Sequence, residues 1–158
     1  MTTSNDVSPR LAQYALCDAR FMTAREKQLV LRAWARFLKN ELCFADFTDR
    51  LYQHLTLHCS FIAHYDRVGF YRTYFANGED TVRFFTQFDK RGSLRSVEYG
   101  STWWLEGDYG DLNKAMVEEA ARYIPKLIKA AETHQREDDL AHAKRLLAKH
   151  GLRPENLR

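Results

Sequence analysis

Long apolar runs are missing from this chain. No stretch approaches the roughly 18 to 20 apolar residues a membrane span needs. The opening M-T-T-S-N-D-V has no basic stretch leading into an apolar one, so no secretory signal is predicted and a cytoplasmic protein is expected. Cysteine is scarce as well. Cys17, Cys43 and Cys59 are odd in number and follow no CxxC or zinc-knuckle spacing, which argues against a disulfide framework and fits free thiols in a reducing compartment. Phosphate-loop signatures (GxxxxGK[ST], GxGxxG) and HExxH do not occur, and no nucleophilic triad is evident. Nor does one sign of charge dominate: 24 Lys and Arg against 21 Asp and Glu leave +3. That balance permits a nucleic-acid partner without demanding one.

What is present suits a folded domain. A chain of 158 residues, 45% hydrophobic and 28% charged, has enough apolar material for one sizeable core and too much for wholesale disorder. Residues 1–7 read as a flexible leader, 8–152 as one domain and 153–158 as a tail. Ser8-Pro9 gives a cap and a first-turn proline, predicting a short docking helix over 9–21. Thr23-Ala-Arg-Glu26 is a capping-box pattern that opens a helix to about residue 42. Val30, Leu31, Trp34, Phe37 and Leu38 then share one arc. A third helix is expected over 44–63, with Phe44, Phe47, Leu51 and Leu55 inward.

Over 70–88 two signals compete. Asn77-Gly78 is a hairpin dipeptide, whereas Thr81, Phe84, Phe85 and Phe88 recur at helical spacing. Two short helices meeting at Asn77-Gly78 are preferred, with a small β-hairpin as the alternative. Residues 90–110 show no sustained period. Asp111 begins a strongly periodic helix through Leu112, Met116, Ala120, Tyr123, Leu127 and Ile128, in which Pro125 predicts a kink. A last helix over 136–150 is expected to bury Leu140, Ala143 and Leu147 and to end at Gly151. The fold class predicted is all-α, a compact single-domain bundle of five to seven helices.

Three constellations bear on function. On the outer arc of the helix after Thr23, Arg25, Arg32, Arg36 and Lys39 fall within about 60° of one another and run roughly 20 Å. Tyr65, Arg67, Tyr71 and Arg72 interleave guanidinium groups with flat rings, and Arg91, Arg95 and Trp103 extend that character into the next loop. Arg on phosphate with rings under bases is the chemistry of single-strand binding. The bland reading is a solvated helix face beside an aromatic core. A non-enzymatic binding or adaptor protein, acting through this basic-aromatic surface on nucleic acid or a protein partner, is the leading expectation.

The second constellation is His54 and His58, one helical turn apart, which could share a divalent ion such as zinc if His64 supplied a third ligand. On a continuous helix, however, His64 points about 100° away from the pair. The bland reading is a pair of core histidines. A metal-binding protein or metal-dependent enzyme is the alternative.

Third, Arg136…His142 and Arg145…His150 satisfy the Arg-x(4–6)-His spacing of the HEPN ribonucleases. Sixteen Arg and six His yield about two such matches by chance, so no family is assigned. A ribonuclease using the Arg-x4-His pair Arg145/His150 stands as a further alternative.

Overall fold

The computed structural model describes residues 9–58, 66–91 and 107–152. Among the described residues five α-helices carry the fold: α1 (Ala24–Lys39), α2 (Asp49–His58), α3 (Arg67–Tyr74), α4 (Gly78–Arg91) and α5 (Gly110–Lys149). Short 3-10 turns at Pro9–Gln13, Phe44–Asp46 and Gly107–Tyr109 connect or precede them. The all-α prediction holds, and the hairpin alternative is corrected, because α3 and α4 occupy 70–88 and no strand occurs among the described residues.

Local hydrogen bonding decides most boundaries. At α1 the predicted capping box is present, with Glu26 N–H donating to Thr23 Oγ1 and the Thr23 N–H donating to Glu26 Oε1. That helix ends in a Schellman cap, Leu42 N–H to Phe37 O and Glu41 N–H to Leu38 O. Two non-glycine residues, Glu41 (φ 56°) and Leu42 (φ 62°), hold the left-handed conformation there. Such a conformation costs about 1–2 kcal/mol per residue; burial of Leu42 beside Phe37 offsets it.

Of the helix expected over 44–63, residues 44–58 form instead a 3-10 turn followed by α2, because Thr48 caps a new start with its Oγ1 accepting from Leu51 N–H, and 59–63 lie outside the described residues. Asp66 caps α3 through Gly69 N–H. Asn77 caps α4, its Oδ1 accepting from Asp80 N–H while its Nδ2 donates to Asp80. The expected docking helix over 9–21 is only a 3-10 turn over Pro9–Gln13. Past it, the Cys17 N–H donates to Asp111 Oδ2 at 2.8 Å, a tertiary partner in place of a helical carbonyl.

The core is aromatic. Trp34, Phe37, Phe47, Phe70, Phe84, Phe85 and Phe88 are fully buried, and their rings meet at centroid distances such as 5.1 Å for Phe84–Phe85 and 5.0 Å for Trp34–Phe88. Trp34 also donates its indole N–H to Met116 O at 2.8 Å, fixing α1 on α5. Against this core α5 lays Leu112, Ala115, Met116, Ala120 and Leu127.

Two predictions about the C-terminal part are overturned. The helix beginning near 111 and the one over 136–150 are a single 40-residue element that runs through Pro125. Pro125 stands on the exposed side with Ala121 exposed one turn before it, so water can serve the carbonyl that loses its donor. The intervening K-A-A-E-T-H-Q holds no glycine or proline to end a helix. Leu140 and Ala143, expected in the core, are exposed and Leu147 is half-exposed, because the body of the protein stops short of them. Gly151 (φ 70°) does supply the predicted left-handed cap.

Candidate functional site

Because the arc of α1 through Val30, Leu31, Trp34, Phe37 and Leu38 is committed to the core, its opposite arc must face out. Arg25, Arg32, Arg36 and Lys39 are all exposed there. The Schellman reversal at Glu41-Leu42 then turns the chain back, and the segment 45–50 forms the second wall of a groove of about 410 Å³. Arg32, Arg36 and Arg50 line it with Leu29, Ala33, Ala45, Asp46 and Thr48. Asp46 also accepts from Asn40 Nδ2 at 2.9 Å, tying the 3-10 turn to the end of α1. Among the described residues, no carboxylate pairs with Arg32, Arg36 or Arg50. Arg50 was invisible to periodicity: it lies in the first turn of α2, and only the reversal after α1 brings it to this groove.

The other expected surface residues divide. Arg67 stacks over the Phe44 ring at 4.5 Å, donates to Phe47 O at 2.7 Å and pairs with Asp49 at 3.3 Å. Tyr71 is half-buried, donates its hydroxyl to Leu42 O at 2.6 Å and meets Phe44 edge-on. Burial, with the Cys43 thiol nearby, pushes its phenol pKa up. Both residues therefore knit α3 to the chain that follows α1. Arg72 is exposed on α3 but does not line the groove. Tyr65, Arg95 and Trp103, and the side chain of Arg91, lie outside the described residues.

The histidine constellation is met only at His54. It is buried on α2, with Nε2 2.7 Å from Asn113 Oδ1. A metal at Nε2 would have to displace that bond. The side chain of His58 and all of His64 lie outside the described residues, and no group of three His, Cys, Asp or Glu suited to a metal occurs among those described. Arg136, His142 and Arg145 are exposed on α5, and His150 is exposed as its C-cap. Separations of six and five residues place each Arg about 120–140° around the helix from its His.

Buried polar pairs that the sequence did not single out anchor α5. Lys27, 2% exposed, donates to Asp111 Oδ1 at 2.8 Å. Arg10 makes a two-pronged contact with buried Glu119, at 2.8 and 2.9 Å, which pushes the guanidinium pKa further up. Burial pushes the Asp111 carboxyl up, but the Lys27 ammonium and the N–H groups of Cys17 and Leu112 outweigh it, leaving its pKa below the ordinary value. With His54–Asn113, these contacts fix three separate segments on the first three turns of α5.

The sequence matches no family model, no curated protein and no solved structure. No helix among the described residues is long and apolar enough to cross a membrane.

Proposed function

We propose that this protein acts by binding, and that the groove between α1 and segment 45–50 takes the phosphate backbone of a nucleic acid. One observation carries the reading: three arginines that pair with no carboxylate among the described residues line one open groove, against a single acidic residue there, Asp46. The guanidinium fork suits phosphate oxygens, and its planar, pre-organised donors lose less entropy per hydrogen bond than a lysine would. Arg25 and Lys39 extend the basic line in both directions along α1. Its length of about 21 Å matches about six phosphate steps along one strand of B-form DNA. Leu29, 40% exposed, adds apolar surface at the groove edge.

Fluorescence anisotropy with single-stranded and duplex oligonucleotides of unrelated sequence tests the proposal. Binding should weaken steeply with salt, the logarithmic slope giving about 0.9 per phosphate neutralised on duplex. Reversing two charges, Arg32→Glu with Arg36→Glu, should lower affinity by at least about tenfold. Lys126→Glu on α5 should leave it unchanged. Absence of binding at low ionic strength, or indifference to the double reversal, overturns the reading. An acidic protein segment would meet the same arginines, and failure to compete with bound oligonucleotide would exclude it from this groove.

A further inference from the structure

Glu41 (φ 56°) and Leu42 (φ 62°) hold a left-handed backbone that glycine adopts far more readily. Residues kept in such sparsely populated conformations cluster at ligand clamps, where the surrounding structure enforces them. Both line one pocket of about 310 Å³, where the ends of α1 and α3 meet α5. Leu42 gains burial from its position. Glu41 gains none: it is exposed, and no cation pairs with it among the described residues.

Much of the wall is apolar, built from Leu42, Phe75, Ala76, Leu127, Ala130 and Ala131. Most of its polar side chains are engaged within the protein. The Tyr71 hydroxyl donates to Leu42 O, Thr81 Oγ1 donates to Asn77 O, and the Asn77 amide is taken up by Asp80. That leaves the Glu41 carboxylate and the His134 imidazole, whose Nε2 lies 3.6 Å from Asp138 Oδ2. The C-terminal ends of α1 and α3 also favour positive charge there. The start of α4 has the opposite polarity, but Glu79 and Asp80 in its first turn offset it.

We infer that this pocket binds a small aliphatic amine, its ammonium on the Glu41 carboxylate and its carbon chain against Leu42, Phe75 and Leu127. An anion would be repelled by Glu41. A neutral ligand would cover the carboxylate without giving it a partner, which costs free energy. One carboxylate and one imidazole are too few protein ligands for a zinc ion. The volume stands at the lower end of the roughly 300–1,000 Å³ of small-molecule sites, so a chain of a few carbons fits. The inference is independent of the groove on α1, with which this pocket shares no residue.

Saturation-transfer NMR titration with n-butylamine tests it, with n-butanol and butyrate as the neutral and anionic counterparts. The amine should saturate the site in about the millimolar range, as suits so small a probe. It should bind about fivefold more tightly than either counterpart, the worth of a well-formed ion pair near the surface. Glu41→Gln should abolish that preference and leave butanol binding unchanged. Glu41→Gly should abolish it too while raising Tm, because glycine takes the left-handed position without strain. Ala130→Trp, at an exposed position in the wall, should block the amine without altering charge. No saturable amine binding, equal binding of amine and butanol, or a preference that survives Glu41→Gln overturns the inference. So does unimpaired binding in Ala130→Trp, or a lowered Tm in Glu41→Gly, which would mean the carboxylate is kept there for the fold. Circular dichroism checks that the variants stay helical; should Ala130→Trp lose helicity, the two Glu41 variants decide.

Discussion

Lys27 and Asp111 show how much one buried pair can decide. The lysine comes from the first turn of α1 and the aspartate from the first turn of α5, so their bond sets the start of one helix against the start of the other. Breaking a buried pair costs about 3–5 kcal/mol, mostly because the surviving charge is stranded. Here Asp111 keeps some exposure and two backbone donors, so Lys27→Ala should fall at the lower end. The folded-state pKa of Asp111 lies below the ordinary value of an aspartate, which is about 3.9. Its stabilising contribution is therefore complete above about pH 4 and is withdrawn as the pH falls through the lower, folded value. Urea unfolding of wild type and Asp111→Asn should diverge at neutral pH and converge toward pH 2. A gap that persists undiminished into acid would contradict this account.

At the scale of elements, α4 and α5 approach closely at Gly78. A Cβ at Gly78 would overlap the carbonyl oxygen of Ala131 and crowd Gln135 Cβ at 3.1 Å. The obstacle is helix backbone, which cannot swing aside like a side chain. Gly78→Ala should therefore destabilise by about 1–3 kcal/mol through overpacking, although alanine is the better helix former. A raised Tm in this variant would show that α4 and α5 do not approach so closely. The Asn77-Gly78 pair thus has two roles unrelated to a hairpin: Asn77 caps α4, and Gly78 lets it lie against α5. Sequence reading located the junction correctly, but the dipeptide alone does not distinguish a cap from a type I′ turn.

Across the whole molecule, stability is unevenly shared along α5. Its first five turns hold Leu112, Ala115, Met116, Ala120 and Leu127 in the core and carry the buried polar anchors. From Arg136 to Leu146 every residue is exposed. A helix of about 14 unsupported residues is marginal in water. In dilute solution, amide hydrogen exchange should be slow over 112–127 and near the unprotected rate over 138–149. Uniform protection along α5 in dilute protein would show that the distal half has a partner within its own chain.

The sequence alone determined the helical class, the capping box at Thr23, the inward arc of α1, the proximal stripe of α5 and the glycine cap at 151. These depend on side-chain period and on bonds within a few residues. It also identified the exposed arginines of α1, because a face opposite a buried arc must meet solvent. Tertiary structure decided the rest. Whether Leu140 is core depends on where the body ends, which no local pattern encodes. That Arg50 joins Arg32 and Arg36 depends on a chain reversal through two left-handed residues, Glu41 and Leu42, which sequence preference would have placed elsewhere. Lys27, Asn113 and Glu119 read as surface residues in the chain and are buried in the fold, since a polar side chain can be buried where a distant partner meets it. Only packing supplies that partner.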